Sequence, residues 1–401
     1  MRAVNPATGE LIREYPERDE DDVALRLDAA AAAFTDWSRR PVVERAALLR
    51  ALAGSLRADQ AAHAARMTAE MGKPIAQAEA EVAKCALTCD WFADRVPGLL
   101  EPEPVTTEAT DSHVRFDPLG VVLAVMPWNF PFWQVIRCAA PALAAGNAVV
   151  LKHASNVPGC ALALEEACER AGFPPGVFAT LMIPARQVGE VVAHPAVRAV
   201  SLTGSEAAGR QVAALAGAAL KKTVLELGGS DAFVVLADAD VAHAARQAAV
   251  SRTINNGQSC IAAKRFIVEE PVADAFTDAF VAAMAALRVG DPMDRETQLG
   301  PLARPDIVDD LEDQVRRSVA AGARLRLGGT RREGPGCWFP PTVLTGVEPG
   351  MAAFDEETFG PLGAVTRARD AGHALELANR SRFGLGGSVW TGDAARGREL
   401  A

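Results

Sequence analysis

The chain has 401 residues, more than one hydrophobic core usually supports, so we expect two domains. Its formal net charge is −10 and its basic residues are scattered, which argues against a nucleic-acid-binding surface. No apolar stretch is long enough to span a bilayer. We therefore expect small molecules or copies of the chain itself as partners, and neither nucleic acid nor membrane.

The amino terminus has no basic segment followed by an apolar core, so no signal peptide is predicted. Seven cysteines without disulfide spacing fit a reducing compartment, and we expect the protein in the cytoplasm. Four of them lie in predicted helices and are interpreted as core residues: Cys85, Cys89, Cys160 and Cys168. The six histidines are scattered singly, so no metal site is predicted.

The amino-terminal quarter is predicted to be mostly helical, over residues 19–71 and roughly 77–96, with the run MGKP as the stop between them. Two β-rich runs follow at residues 114–116 and 121–125. The turn signal DPLG separates them, so residues 112–125 are predicted to form a β-hairpin.

Apolar β-branched runs then alternate with amphipathic helices, which predicts right-handed βαβ crossovers and a parallel sheet. A second alternating set begins after Gly228 and Gly229, so we place a domain boundary near Gly228. The prediction is an α/β fold with two open α/β domains, of which the first could bind a nucleotide at its strand carboxyl ends. Predicted strands are 147–152, 177–183, 196–202, 223–227, 232–236, 265–268 and 324–327; predicted helices are 157–171, 187–193, 206–218, 241–253, 272–287 and 305–321.

Cys260, in the run NNGQSCIAAKRFIV, and Glu226, in TVLELGGSD, are the candidate catalytic pair. A thiol among small residues and a carboxylate followed by two glycines are the groups needed to form a thioester and then hydrolyse it. The alternative is that Cys260 is a small buried hydrophobic residue. Against it, the preceding Gly-Gln-Ser breaks the apolar periodicity of a core position.

The fingerprint G-x-G-x-x-G is absent, but the strand AVRAVSL runs into Gly204 and Ser205 and then a helix. Such a turn offers backbone N–H groups and the helix dipole to a phosphate, although a Ser N-cap without a ligand explains it equally well. Lys152 closes the strand NAVVLK, either facing a ligand or as a solvated charge. Ser155 could accommodate a ribose 2′-phosphate, which a carboxylate would repel.

Eight runs together resemble the aldehyde dehydrogenase superfamily, most closely its bacterial succinate-semialdehyde dehydrogenases: NPATGE, EMGKP, VMPWNFPFW, GNAVVLKHAS, SLTGSEAAG, LELGGSD, GQSCIAAKRF and EETFGP. The resemblance implies an NAD(P)-binding domain of residues 1–111 and 126–227 and a catalytic domain of residues 228–401. Residues 112–125 would form the oligomerisation arm of a homodimer or homotetramer. The implied reaction is the oxidation of succinate semialdehyde to succinate.

In this resemblance Cys260 is the nucleophile, and Asn129 with the Cys260 N–H forms the oxyanion hole. Glu226 is the base that activates water for deacylation. NAD-preferring relatives usually carry Glu at the position of Ser155, which favours NADP or the use of both cofactors. The residues implied at the cofactor are Trp128, Lys152, Ser155, Gly204, Ser205, Leu227, Glu357 and Phe359.

The resemblance also implies that Arg137 grips the distal carboxylate of the substrate, with Ser259 as a further donor. An internal salt bridge of Arg137 is the alternative. A second Arg of some relatives is replaced here by Ile254, with Arg252 two residues earlier, and their redox-switching cysteine is replaced by Ala262.

Other interpretations stay open at this point. The substrate could be glutarate semialdehyde or another aliphatic aldehyde, whereas a CoA-acylating reaction is disfavoured because the deacylating base is present. The chain also ends before the glycine-rich carboxyl segment of the family, so a truncated, catalytically silent member is a further alternative.

Overall fold

The computed structural model describes all 401 residues, which divide into two compact units. Unit 1 consists of Met1–Val4, Leu11–Glu70 and Ala76–Leu227, and unit 2 of Asn5–Glu10, Met71–Ile75 and Gly228–Ala401. The two short amino-terminal pieces of unit 2 depart from the predicted division, which gave all of residues 1–111 to the first domain. Backbone hydrogen bonds hold them: Cys337 N–H donates to Pro6 O (2.7 Å) and Ile75 N–H to Pro292 O (2.8 Å).

Unit 1 is built on short hairpins, a helical layer and one parallel sheet. Its strands are β1 Arg2–Val4, β2 Leu11–Glu14, β3 Glu103–Pro104, β4 His113–Val114, β5 Val121–Met126, β6 Ala148–His153, β7 Phe178–Thr180, β8 Val197–Thr203 and β9 Lys222–Glu226. Its helices are α1 Glu20–Trp37, α2 Val42–Ala58, α3 Gln60–Met71, α4 Ile75–Leu99, α5 Trp133–Ala144, α6 Pro158–Arg170, α7 Val188–Ala193 and α8 Glu206–Ala218. The sheet has the order β7-β6-β5-β8-β9, and all its pairs are parallel.

The predicted hairpin of residues 112–125 is wrong. Strand β4 pairs antiparallel with β3, whereas β5 lies at the centre of the parallel sheet between β6 and β8. The reason is visible in the sequence VVLAVM of β5, a continuous apolar run that fits a strand covered on both faces rather than an exposed hairpin. The side-chain oxygen of Asn147 fixes the entry into β5 by accepting the N–H groups of Leu119 (2.7 Å) and Gly120 (3.2 Å).

Unit 2 contains the second sheet, in the order β12-β13-β14-β11-β10-β15, parallel except for β12 against β13. Its strands are β10 Asp231–Val235, β11 Ala263–Glu269, β12 Arg324–Leu327, β13 Thr342–Thr345, β14 Leu362–Ala368 and β15 Gly387–Trp390. Its helices are α9 Val241–Thr253, α10 Glu270–Ala285, α11 Pro305–Ala320, α12 Ala352–Asp355, α13 Ala371–Asn379 and α14 Ala394–Leu400.

Each sheet has its own core. Unit 1 packs aliphatic residues such as Leu123, Val150 and Leu202 beneath the helices, and unit 2 packs aromatic rings, with Phe266 and Phe280 centred 4.5 Å apart. The four cysteines predicted in the core are all buried, which confirms that interpretation. None of the helices combines the length and the apolar character needed to traverse a lipid bilayer.

Candidate active site

The candidate residues of unit 1 gather at one edge of its sheet. In an all-parallel sheet the carboxyl ends of all strands lie at the same edge, where ligands bind in open α/β folds. Trp128 and Asn129 follow β5, Lys152 lies near the end of β6 with Ser155 just beyond it, Gly204 and Ser205 follow β8, and Glu226 and Leu227 end β9.

A buried histidine fastens the loop that carries Asn129. The ring of His153 lies between two carbonyls of this loop, with Nε2 2.9 Å from Pro131 O and Nδ1 3.2 Å from Met126 O. Nδ1 also accepts the N–H of Ala154 (2.9 Å). Burial lowers the pKa of His153 to about 4, so the ring is neutral at neutral pH and donates from Nε2. Asn129 is itself buried, within the loop that these contacts hold.

The other end of the same loop is capped by a carboxylate from a neighbouring helix. Glu81, on α4, accepts the N–H groups of Phe132 and Trp133, both at 2.9 Å, where α5 begins. Free N–H groups at a helix start favour a negative charge, so this contact fixes where α5 starts. Helix α5 carries Arg137, one turn further on.

Lys152 is a buried cation without a protein partner. Only 8% of the residue is exposed, its ammonium makes no hydrogen bond or ion pair, and burial lowers its pKa. An unpaired buried charge costs free energy, so a polar or anionic ligand at this edge would stabilise it. The exposed Ser155 lies three residues beyond it, and its contact with a ribose phosphate stays a prediction.

Ser205 is the N-cap of α8: its Oγ accepts the Ala208 N–H at 3.3 Å. The structure thus contains the N-cap that the sequence offered as the alternative to a phosphate site. The two are compatible, because capping uses one N–H while the first turn of the helix keeps others. The role of Gly204 and Ser205 at a cofactor stays a prediction.

Arg137 and Glu226 form an ion pair in unit 1. Arg137 Nη1 lies 3.6 Å from Glu226 Oε2, and Nη2 donates to Thr203 Oγ1 at 3.1 Å. The internal salt bridge that the sequence allowed is therefore present, and its anion is the candidate base. Both side chains remain more than one third exposed. Exposed pairs contribute only about 0–1 kcal/mol, so a carboxylate from outside can compete for the guanidinium.

The segment before Cys260 has an unusual backbone. Asn255, Asn256 and Gly257 have φ of 54°, 59° and 79°, three consecutive residues in the left-handed region. Asn and Gly tolerate this region better than other residues. A Cβ on Gly257 would also collide with the backbone of Gly360, so glycine is required on two grounds.

Three hydrogen bonds lock the side chain of Asn256. Nδ2 donates to the carbonyls of Gly72 and Pro301, both at 2.8 Å, and Oδ1 accepts the Gly300 N–H at 2.8 Å. The amide is fully buried and every bond runs to backbone of unit 2. This side chain therefore fixes the position of the turn that leads into Cys260.

Cys260 is partly exposed, unlike the core cysteines, and lies beside the two glycines after Glu226. A Cβ on Gly229 would lie 2.7 Å from the Cys260 carbonyl oxygen, and one on Gly228 would collide with Glu357 Oε2. The Gly229 N–H donates to Glu357 Oε1 at 3.1 Å. Cys260 and Glu357 therefore both lie against this glycine pair, which leaves no space for a Cβ at Gly229. Phe359 is two residues beyond Glu357.

Ser259 and Arg252 do not present donors to the surface of unit 2. Ser259 is fully buried and its Oγ has no hydrogen-bond partner. Arg252 is also fully buried and donates to the Gly257 carbonyl, while its Nε and Nη1 are unpaired. The Ser259 Oγ thus has no protein acceptor, and its role as a donor to a substrate carboxylate stays a prediction.

Sequence reasoning missed Lys264. The residue lies at the start of β11, is fully buried, and has its ammonium against the carbonyl of Cys260. The signal was the pair of adjacent charges, Lys264 and Arg265, inside the apolar run IAAKRFIV. Buried charges are rare unless they have partners, so such a pair indicates partners nearby.

The two units together define a class of protein. Unit 1 is a parallel nucleotide-binding type of sheet with an unpartnered lysine at its carboxyl edge, and unit 2 presents a partly exposed thiol. A parallel sheet with an open carboxyl edge and a separate unit with an accessible thiol are both features expected of a cofactor-dependent dehydrogenase. The chain belongs to the aldehyde dehydrogenase family, whose pattern matches residues 1–401.

Among its relatives, the chain is 50% identical to the succinate semialdehyde dehydrogenase [NAD(P)+] Sad of Escherichia coli, over 100% of this chain and 86% of the relative. It is 49% identical to a probable succinate-semialdehyde dehydrogenase [NADP(+)] of Synechocystis, over 98% of this chain and 86% of that protein. The crystal structure of the Streptococcus pyogenes succinic semialdehyde dehydrogenase with NADP+ superimposes with a TM-score of 0.97 at 36% identity, covering 100% of this chain and 88% of that one.

Proposed function

We propose that this protein oxidises succinate semialdehyde to succinate with NADP+ or NAD+ as the hydride acceptor. The observation that carries the proposal is that a chain 50% identical to a succinate semialdehyde dehydrogenase over its whole length keeps Cys260 partly exposed and Arg137 accessible. The fold and the family support aldehyde oxidation, and the relatives support this particular aldehyde.

The Cys260 thiolate attacks the aldehyde carbon and forms a thiohemiacetal, in which the former carbonyl oxygen carries negative charge. Asn129 is the side-chain donor to that oxygen, and the Cys260 N–H is the backbone donor. The rigid hold on both residues supports these roles, because donors that need no reorganisation stabilise developing charge most effectively. His153 and Glu81 fix the Asn129 loop, and Asn256 fixes the turn before the thiol.

The cofactor, when bound, supplies the nicotinamide that takes the hydride from the thiohemiacetal and leaves a thioester on Cys260. Lys152 fits such a ligand because its ammonium lacks a protein partner at the strand edge. Gly204 and Ser205 fit a phosphate at the start of α8, and Ser155 fits a 2′-phosphate because it introduces no negative charge. We also assign Trp128, Leu227, Glu357 and Phe359 to cofactor binding.

Glu226 then takes a proton from water, which attacks the thioester carbon and releases the acid and the Cys260 thiolate. In the resting structure this carboxylate is paired with Arg137. Because the pair is exposed and weak, the distal carboxylate of the substrate can take over the guanidinium as Glu226 turns to the water. Arg137 would thus both recognise the substrate and release the base.

The test is the reduction of NADP+ by the purified chain with succinate semialdehyde, compared with glutarate semialdehyde and butanal. We expect the highest kcat/KM for succinate semialdehyde and no reduction by Cys260→Ser. Glu226→Gln should accumulate a succinyl thioester, seen as the mass of one succinyl group on the peptide that contains Cys260. A higher kcat/KM for butanal would refute the substrate, and full turnover by Glu226→Gln would refute the base.

We further propose that the chain forms a homodimer or homotetramer and works in the cytoplasm. Exposed apolar residues cluster at and beside the β3–β4 hairpin, which is unusual for a surface without a partner: Val105, Val114, Phe116 and Leu119. Seven free cysteines support a reducing compartment. Light scattering tests the assembly: the wild type should have the mass of a dimer or tetramer, and Phe116→Asp should have a smaller mass. A monomeric wild type would contradict the proposal.

A further inference from the structure

We propose that Lys264 is a positioning residue for the nucleophile: its buried ammonium organises the backbone on both sides of Cys260 and stabilises the thiolate. The inference rests on the proposed function, because it assigns a role beside the Cys260 nucleophile. It concerns residues of unit 2 alone.

Three carbonyls surround the ammonium. Lys264 Nζ donates to Ser259 O and Cys260 O at 2.9 Å and to Ala262 O at 3.1 Å. An ammonium has three N–H donors, and all three are used. A neutral amine has only two, so it would leave one buried carbonyl unpaired at a cost of about 1–3 kcal/mol. The geometry therefore selects the charged form.

These three carbonyls belong to the residue before the nucleophile, the nucleophile itself and the second residue after it. The one side chain therefore fixes the peptide planes around Cys260, including the direction of the backbone that bears its N–H. Glu357 adds an ion pair, with Oε1 3.8 Å from Nζ, while its side chain stays 22% exposed. Because Glu357 also accepts the Gly229 N–H, Lys264 joins the glycine turn and the nucleophile through one carboxylate.

The charges that face Lys264 come from several elements. Arg252 on α9 repels the ammonium, whereas Glu357, Asp231 on β10 and a Cys260 thiolate attract it. With Lys264 and Arg252 as cations and Glu357 and Asp231 as anions, the group is balanced before Cys260 ionises. A lysine beside a cysteine favours the thiolate, and the ammonium on its side of this pair is fully buried. Burial lowers the pKa of Lys264 to about 8, so the residue is still mostly charged at pH 7.

Arg265, the next residue, provides a matched control. It is a buried cation on the same strand, but its guanidinium donates to Ser230 O and to Leu377 O and Ala378 O at the end of α13. The main charges acting on Lys264 are those of Arg252, Glu357, Asp231 and Cys260, and Arg265 is not among them. Replacing it perturbs the interior of unit 2 to a similar degree without removing a charge at the nucleophile.

The experiment measures the rate at which iodoacetamide alkylates Cys260 in the full chain between pH 5.5 and 9.5, without cofactor or aldehyde. The same measurement on Cys260→Ser supplies the background of the other thiols. We expect Lys264→Met to move the midpoint of the pH profile upward by at least one unit, which is a tenfold loss of thiolate at pH 7. Lys264→Arg keeps the charge, so its midpoint should stay close to that of the wild type. Arg265→Met should also leave the midpoint where it is in the wild type.

Equal midpoints for wild type and Lys264→Met, with both proteins folded by circular dichroism, would overturn the proposal. An equal upward shift in Arg265→Met would also overturn it, because the effect would then follow from loosened packing. If Lys264→Met does not fold, Lys264→Arg and Lys264→Gln give the same comparison of charged and neutral side chains. Alkylation needs no substrate, so a wild type inactive on succinate semialdehyde would refute the proposed function and leave this result unchanged.

Discussion

The stability of unit 1 should depend on pH through His153, the buried ring that holds the loop carrying Asn129. The pKa of this ring is lowered from 6.5 to about 4 by burial. Between these values the unfolded chain binds a proton that the folded chain does not. The contribution is therefore fully present above pH 6.5 and is lost as the pH falls toward 4. Its full size is on the order of 3 kcal/mol, and about 2 kcal/mol is lost between pH 7 and pH 5.

Replacing His153 with Gln removes this titration. At pH 7 the variant should be less stable by about 1–3 kcal/mol, because the Pro131 carbonyl loses its donor and the Ala154 N–H loses its acceptor. At pH 5 the wild type has lost most of its own contribution, so the difference in free energy of unfolding between the two proteins should narrow by about 2 kcal/mol. Urea unfolding at the two pH values measures both gaps.

A control variant that loses similar stability without removing a titrating group distinguishes the titration of His153 from a general loss of stability. Val150, fully buried in the same sheet, offers one, since Val150→Ala should cost about 2 kcal/mol at either pH. If the gap between wild type and His153→Gln stays constant from pH 7 to pH 5, as in Val150→Ala, the ring does not titrate as inferred and the reasoning fails.

Three further predictions concern the site. Gly229→Ala should lower kcat at least tenfold with the fold retained, because its Cβ would lie only 2.7 Å from the Cys260 carbonyl oxygen. Gly54→Ala, with open space around it, should leave kcat unchanged, and equal kcat values for the two variants would contradict the prediction. Arg137→Ala should raise KM for succinate semialdehyde by roughly 10- to 100-fold, as expected for a charge-assisted hydrogen bond, but hardly for butanal, and equal rises would remove the residue from recognition. Ser155→Glu should shift the ratio of kcat/KM values toward NAD+, and an unchanged ratio would exclude that role.

Elements with clear periodicity and caps could be predicted well from the sequence. Helices 206–218 and 241–253 have the predicted bounds, and Ser205 and Asp240 cap them. Helix α5 was not predicted, because Pro141 lies inside it and a proline usually ends a helix. The hairpin was misassigned because a turn signal identifies a turn, whereas the partner of a strand depends on residues distant in the sequence.

At the site, residues whose roles the family resemblance implies could be named from the sequence. The residues that hold them in place could not, although Lys264 and His153 lie in two of the same runs. Lys264 and His153 act through hydrogen bonds to backbone carbonyls. Every residue has a carbonyl, so the sequence does not show which of them will accept such a bond. The burial of Ser259 could not be predicted either, since adjacent residues of an irregular loop can point to opposite sides. Cys260 is partly exposed while its neighbour is fully buried.

The locked amide of Asn256 also bears on how the protein ages. Asn followed by Gly is the sequence most prone to deamidation, a reaction in which the backbone nitrogen of Gly257 attacks the side-chain amide. In the folded chain three hydrogen bonds hold that amide away from this attack, so the damage is confined to molecules that have unfolded. An Asp at this position would place a carboxylate against the carbonyls of Gly72 and Pro301, where it cannot donate. A chain that deamidates while unfolded therefore cannot refold to the native structure. Each cycle of heating and cooling should leave a further fraction of the molecules permanently unfolded.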